Sequence, residues 1–79
     1  MRRIFVVNAL WDGDAGVWVA TSDDVPGLAT EAATPKSLIA KLRVMVPELL
    51  ELNSPRASKK REVVVDLRLE RRERVLVAA

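Results

Sequence analysis

Residues 3 to 11 alternate in a way that makes both faces of the segment apolar. Aromatic and β-branched residues dominate it, which indicates a β-strand. One face would carry Phe5, Val7, Ala9 and Trp11, and the other would carry Ile4, Val6 and Leu10. A sheet built around this strand needs apolar cover on two sides.

The remaining sequence predicts three more strands and one helix. Strands are expected over 17–22, 29–32 and 62–70, and an amphipathic helix is expected from a Thr34 N-cap and Pro35 to about Asn53. The order is β-β-β-α-β, an α+β fold in which an antiparallel sheet carries one long helix on one face. We therefore predict a single domain over 1–79, with core segments 3–53 and 62–70 and a basic linker over 54–61.

Two turns and one proline refine this prediction. A five-residue loop from Asp12 to Gly16 would join the first two strands and would direct Trp11 and Trp18 to opposite faces. Pro26-Gly27 has the composition of a type II turn. Pro47 lies inside the predicted amphipathic helix. A kink at this position is favoured over a break into two helices, because Val46 would be a poor N-cap for a new helix.

One helix covers only one face of a four-stranded sheet, so the second face needs another solution. The chain has 79 residues and no cysteine, so a disulfide cannot supplement a small core. A second copy of the chain is the simplest cover, and we predict an isologous homodimer. It would pair through the open face or through an exchanged C-terminal strand. The alternative is that the face stays open or is covered by Arg and Lys stems.

Several kinds of active site are excluded by composition. The chain has no histidine and no cysteine, and its three glycines form no phosphate-binding loop. Acidic residues that could suggest a magnesium site are interpreted as turn caps and solubilising groups instead: Asp12, Asp14, Asp23, Asp24 and Asp66. We predict no catalytic residue, no metal and no cofactor, which leaves an unrecognised hydrolase as the third hypothesis.

One motif spans the hairpin, the next turn and the helix start. It reads Asp12-x-Asp14-x-Gly16-x-Trp18-x-Ala20-x-Ser22-x-Asp24-x-Pro26-Gly27-Leu28, followed by Thr30-Glu31-Ala32 and Thr34. This pattern resembles the HicB-like antitoxin superfamily, and within it the short, single-domain branch of uncharacterised bacterial proteins. The resemblance implies a degenerate ribonuclease H-like fold and a domain that masks a small ribonuclease toxin. The DNA-binding helices of that superfamily have no counterpart in residues 54–79.

The first functional hypothesis is thus a non-catalytic protein-interaction module, with antitoxin-like masking of a small toxin. The alternative is weak nucleic-acid binding by the C-terminal part, where residues 56–79 carry eight basic and four acidic side chains. Interleaved aromatics for base stacking are missing there, so this alternative is not favoured. Candidate partner-binding residues from both hypotheses are Trp11, Trp18, Arg68, Arg71, Arg72 and Arg74.

No apolar run approaches the ~20 residues of a membrane span, and the start of the chain has no signal-peptide pattern. We therefore expect a cytoplasmic protein that does not associate with membranes.

Overall fold

A computed structural model describes residues 3–53 and 63–78. Its elements are β1 (Arg3–Asp12), β2 (Val17–Thr21), β3 (Ala29–Ala32), α1 (Pro35–Asn53) and β4 (Val63–Glu70). The predicted α+β order β-β-β-α-β is confirmed. The basic linker 54–61 and the first residue predicted for the last strand, Glu62, lie outside the described residues.

The four strands form one sheet in the order β3-β2-β1-β4. β1 is antiparallel to β2, and β2 is antiparallel to β3. β4 is parallel to β1, with Arg3 opposite Val63 and Leu10 opposite Glu70. The sheet is therefore mixed and not antiparallel throughout, because the chain crosses through α1 and returns to the same end of the sheet before β4 begins.

The hairpin between β1 and β2 corrects the predicted register by one residue. Asp12 pairs with Val17, so the loop contains four residues, and Trp11 lies opposite Trp18. The Asp12 carboxylate accepts hydrogen bonds from the amides of Asp14 and Ala15, while its carbonyl accepts one from Gly16 at 2.8 Å. Gly16 has a φ of 69°, which its missing Cβ permits. Asp12 is thus both the last strand residue and the cap of the turn.

Beyond the end of β2, a loop continues to cover the edge of β1. The Ser22 hydroxyl donates to the carbonyl of Val6 at 2.5 Å, and the Val6 amide donates to the Asp24 carboxylate at 2.7 Å. The loop then closes with the predicted turn at Pro26-Gly27, where Gly27 has a φ of 83°. It places Val25 and Leu28 in the core.

α1 begins at the predicted cap and runs without a break through Pro47. The Thr34 hydroxyl accepts from the Ser37 amide at 3.1 Å, and the Thr34 amide donates to the Ser37 hydroxyl at 3.3 Å. In a capping box, the side chain that accepts from the N-cap amide is usually that of Glu or Gln. Here Ser37 takes that role. Within the described residues, no helix combines the length and the apolar character needed to cross a membrane.

The core lies between α1 and the facing side of the sheet. The helix contributes four buried residues, spaced by four: Leu38, Leu42, Val46 and Leu50. The sheet and its loops contribute Phe5, Val7, Ala9, Ala20, Val25, Leu28 and Ala32. Among the described residues every buried side chain is apolar, as expected of a small core formed by one helix and one sheet face.

Residues 71–78, here called the C-terminal arm, follow β4 without forming helix or strand. All eight residues are exposed. The last strand therefore ends at Glu70, and the apolar residues near the C-terminus do not join the sheet of their own chain.

Candidate interaction surfaces

The side of the sheet away from α1, here called the open face, displays large apolar side chains. Ile4 is 67% exposed, Leu10 50%, Val19 38% and Val64 37%. Strand pairing places Ile4 beside Val64, and Leu10 beside Val19, so they form two separate patches. A solvated sheet face usually carries polar residues, which makes these patches candidates for protein contact.

Charged residues border these patches, and most of them are acidic. Strand register places one basic side chain, Arg68, on the open face. The same register places four acidic residues there: Asp12, Glu31, Asp66 and Glu70. Arg68 pairs with Asp66 and Arg72 pairs with Glu70, so the negative charge of this rim, among the described residues, is carried by Asp12 and Glu31, although the whole chain has a net charge of +2.

Both tryptophans lie on the side of the sheet that faces α1, which corrects the prediction that they point to opposite sides. Their ring centroids are 5.3 Å apart with a tilt of 58° between the planes. The Arg71 guanidinium lies 5.0 Å from the centre of the Trp11 ring, a distance suited to a cation–π interaction. The structure thus brings Trp11, Trp18 and Arg71 together at the hairpin end of the sheet.

The other three candidate arginines are separate from this cluster. Arg68 lies 3.3 Å from the Asp66 carboxylate, and Arg72 lies 3.0 Å from that of Glu70. Arg71 also pairs with Glu73, at 2.7 Å. Arg74 is exposed in the arm. A phosphate-binding surface requires cations that converge on one side, whereas most of these face a neighbouring carboxylate.

A second apolar surface, the α1–β4 groove, was not predicted from the sequence. It has a volume of about 420 Å³, and apart from Arg43 its lining is apolar: Ile39, Leu42, Val46, Pro47, Val63, Val65 and Leu67. At this groove the α1-facing residues of β4, Val63, Val65 and Leu67, are only half-buried against the core. The alternation of β4 predicted its inward residues correctly, but it carries no information about how far the helix extends over them.

Of the five acidic residues interpreted as turn caps and solubilising groups, Asp12 caps a turn. Asp24 instead accepts a hydrogen bond from the Val6 amide of β1, and Asp66 lies in β4 and pairs with Arg68. Within residues 3–53 and 63–78, no three acidic side chains are grouped closely enough to hold a metal ion.

The architecture defines a small α+β domain with one helix on a four-stranded mixed sheet. A family model described as a domain of unknown function, DUF1902, matches residues 4–79, so the chain belongs to that family. Among solved structures, the chain is similar to a hypothetical protein from the extremely thermophilic bacterium Thermus thermophilus. The two share 60% sequence identity with a TM-score of 0.69, over 95% of this chain and 100% of that one. A search of curated proteins found no match.

Proposed function

We propose that this protein is a non-catalytic interaction module that binds a partner protein through the Leu10–Val19 end of its open face. The observation that carries the proposal is the exposure of adjacent apolar side chains on a regular sheet face. Leu10 and Val19 are direct cross-strand neighbours and present one continuous surface. Burying such a surface yields about 25 cal/mol per Å² of apolar area.

The partner we propose is a small ribonuclease toxin, which the module would mask as an antitoxin does. Two observations support it. The segment from Asp12 to Thr34 resembles the HicB-like antitoxins, and the open face has an acidic rim. Proteins that bind RNA present cationic surfaces to its phosphates, and an acidic rim is electrostatically complementary to such a surface.

The same charges disfavour direct binding of nucleic acid to this face. Asp12 and Glu31 would lie close to the phosphates, and Arg68 and Arg72 are already paired with Asp66 and Glu70. We therefore propose a protein partner in preference to RNA or DNA.

The test uses the product of the reading frame adjacent to the gene. This product is expressed alone and with the wild-type module, and growth is compared. We expect the neighbouring product to arrest growth and the module to relieve the arrest. We expect Leu10→Asp to abolish relief, because a buried carboxylate without a partner is costly in an apolar contact.

Val44→Asp is the matched control. Val44 is 58% exposed on α1, away from both surfaces, so its substitution should leave relief intact. Circular dichroism establishes that both variants fold. A non-toxic neighbour, or equal relief by both variants, contradicts the proposal. Salt-sensitive binding of the module to RNA in a mobility-shift assay would favour the nucleic-acid hypothesis instead.

A further inference from the structure

The C-terminal arm exposes three consecutive apolar side chains. Val75 is 74% exposed, Leu76 100% and Val77 75%. The molecule measures 58 Å along its longest axis and about 20 Å along the other two. Three bulky apolar residues in water at the end of an extended segment indicate that something else covers them.

The arm is poorly placed to reach the α1–β4 groove of its own chain. It leaves the sheet where β4 ends, and the groove runs back along β4. Only residues 71–74 are available to reverse the direction, and they contain no glycine, proline or asparagine. Arg71 is held over Trp11, and Arg72 is held by Glu70. These contacts favour a continued extended course.

β4 offers the arm a place to bind on another molecule. Within the described residues it pairs only with β1, so the backbone groups along its outer edge are free to accept another strand. Beside that edge, the half-buried Val63 and Val65 line the groove under Ile39 and Pro47. An added strand would thus gain both backbone hydrogen bonds and apolar contacts.

We propose that two copies of the chain exchange their C-terminal arms. Each arm adds as an antiparallel strand to the outer edge of β4 in the second copy. When Val77 lies opposite Val63, Val75 lies opposite Val65, and both valines enter the α1–β4 groove. On the other face, Leu76 then lies beside Val64.

Side-chain direction supports this register. Across the two strands it places Arg74 opposite Asp66, Arg72 opposite Arg68, and Glu70 opposite its own copy at the two-fold axis. The like-charged residues are each paired within their own strand, Arg68 with Asp66 and Arg72 with Glu70. The odd-numbered residues of β4 lie on the side of the sheet that faces α1. Arg71, the first residue of the arm, lies over Trp11 on that same side, so the odd-numbered residues of an extended arm also face α1. Val75 and Val77 therefore face the groove when the arm continues as an extended strand.

The exchange is reciprocal and closes on itself. A two-fold axis relates the two chains, because each arm pairs antiparallel with β4 of the other chain. Each arm is therefore covered once, and each groove is filled once. The Leu10–Val19 end of the open face remains free, so the exchange is independent of the function proposed above.

The first test is the mass of the protein in solution by native mass spectrometry and light scattering at micromolar concentrations. We expect twice the 8.8 kDa of one chain. We expect the double variant Val75→Asp/Val77→Asp to have the mass of one chain. Val44→Asp and Leu10→Asp should remain dimeric, because neither residue lies in the arm or the groove.

The second test locates the arm. Because the chain has no cysteine of its own, a Val65→Cys variant and a Val75→Cys variant can be mixed and oxidised with no competing native thiol. We expect a disulfide between the two different chains. Val44→Cys mixed with Val75→Cys is the matched control and should not cross-link under the same conditions.

Three results would overturn the proposal. One is the mass of a single chain at every concentration. Another is a dimer unaffected by the arm substitutions, which would place the second copy on the open face. The third is a disulfide formed within one chain when Val65→Cys and Val75→Cys are combined in the same molecule.

Discussion

At the scale of single residues, polar side chains complete the sheet where the strands do not. Ser22 is the clearest case. Its hydroxyl donates to the Val6 carbonyl and accepts from the amides of Asp24 and Val25, each at 3.1 Å. One partly buried hydroxyl thus satisfies a β1 carbonyl beyond the end of β2 and shapes the loop that follows.

Replacing Ser22 with alanine should lower the free energy of unfolding by about 1–3 kcal/mol, because the Val6 carbonyl would lose its partner in a partly buried site. Chemical denaturation monitored by circular dichroism measures the change. Asp24→Asn is the comparison, since it keeps an oxygen that can accept from the Val6 amide and should cost less. Equal stability of Ser22→Ala and wild type would contradict this role.

Gly27 and Gly13 form a second matched pair. Gly27 has a positive φ, and an added Cβ would lie 3.5 Å from the Leu49 side chain. We expect Gly27→Ala to lower stability by about 1–2 kcal/mol because the left-handed conformation disfavours a Cβ. Gly13 has no positive φ and only an ordinary contact with Trp11, so Gly13→Ala should change the unfolding midpoint much less. A larger loss at Gly13 would show that strain at Gly27 is unimportant.

At the scale of elements, the helix and strand positions follow from sequence, whereas two relations between elements do not. Thr34 and Pro35 locate the helix start because capping is local. The hairpin register was predicted one residue out, because the Asp12 carboxylate caps the turn while its backbone still pairs with Val17. The direction of β4 was predicted wrongly, since the Val63, Val65 and Leu67 alternation is the same in parallel and antiparallel strands.

That register error also changed the candidate site. Because Trp11 lies opposite Trp18, both rings lie on the side of the sheet that faces α1. Neither tryptophan is therefore a candidate contact residue on the open face. The apolar residues of that face, Ile4 and Leu10 among them, were predicted correctly from the two-faced pattern of β1. The α1–β4 groove depends on where the helix lies across the sheet, which no short-range pattern encodes.

Pro47 provides a prediction for α1. It has no amide hydrogen to donate to the carbonyl of Arg43, so the helix lacks one internal hydrogen bond there. Pro47→Ala should raise the melting temperature through a gain of up to about 3 kcal/mol in helix stability. Glu48→Ala, also exposed, is the control and should have little effect. A lower melting temperature for Pro47→Ala would mean that packing at the proline outweighs the missing bond.

At the scale of the whole molecule, exposed apolar surface is divided among the open face, the groove and the arm. The surface ion pairs, such as Arg71 with Glu73, are exposed and contribute little to stability. We therefore expect the proposed association between chains to be the larger source of additional stability.

An exchanged dimer should unfold at a temperature that rises with protein concentration, because dissociation accompanies unfolding. Differential scanning calorimetry at several concentrations measures this dependence. We expect the Val75→Asp/Val77→Asp variant to lose the dependence and Val44→Asp to keep it. A melting temperature that is independent of concentration for the wild type would contradict association linked to folding.

The parallel pairing of β1 with β4 also determines when the protein can fold during synthesis. Of the four strands β1 is made first, yet the neighbour on one of its edges, β4, beginning with Val63 opposite Arg3, is made after the other three. Until then the nascent chain exposes the edge of its central strand, and the closure of this long loop makes folding slow. A nascent chain stalled before residue 63 should therefore be sensitive to protease, and resistance should appear only after β4 has left the exit tunnel.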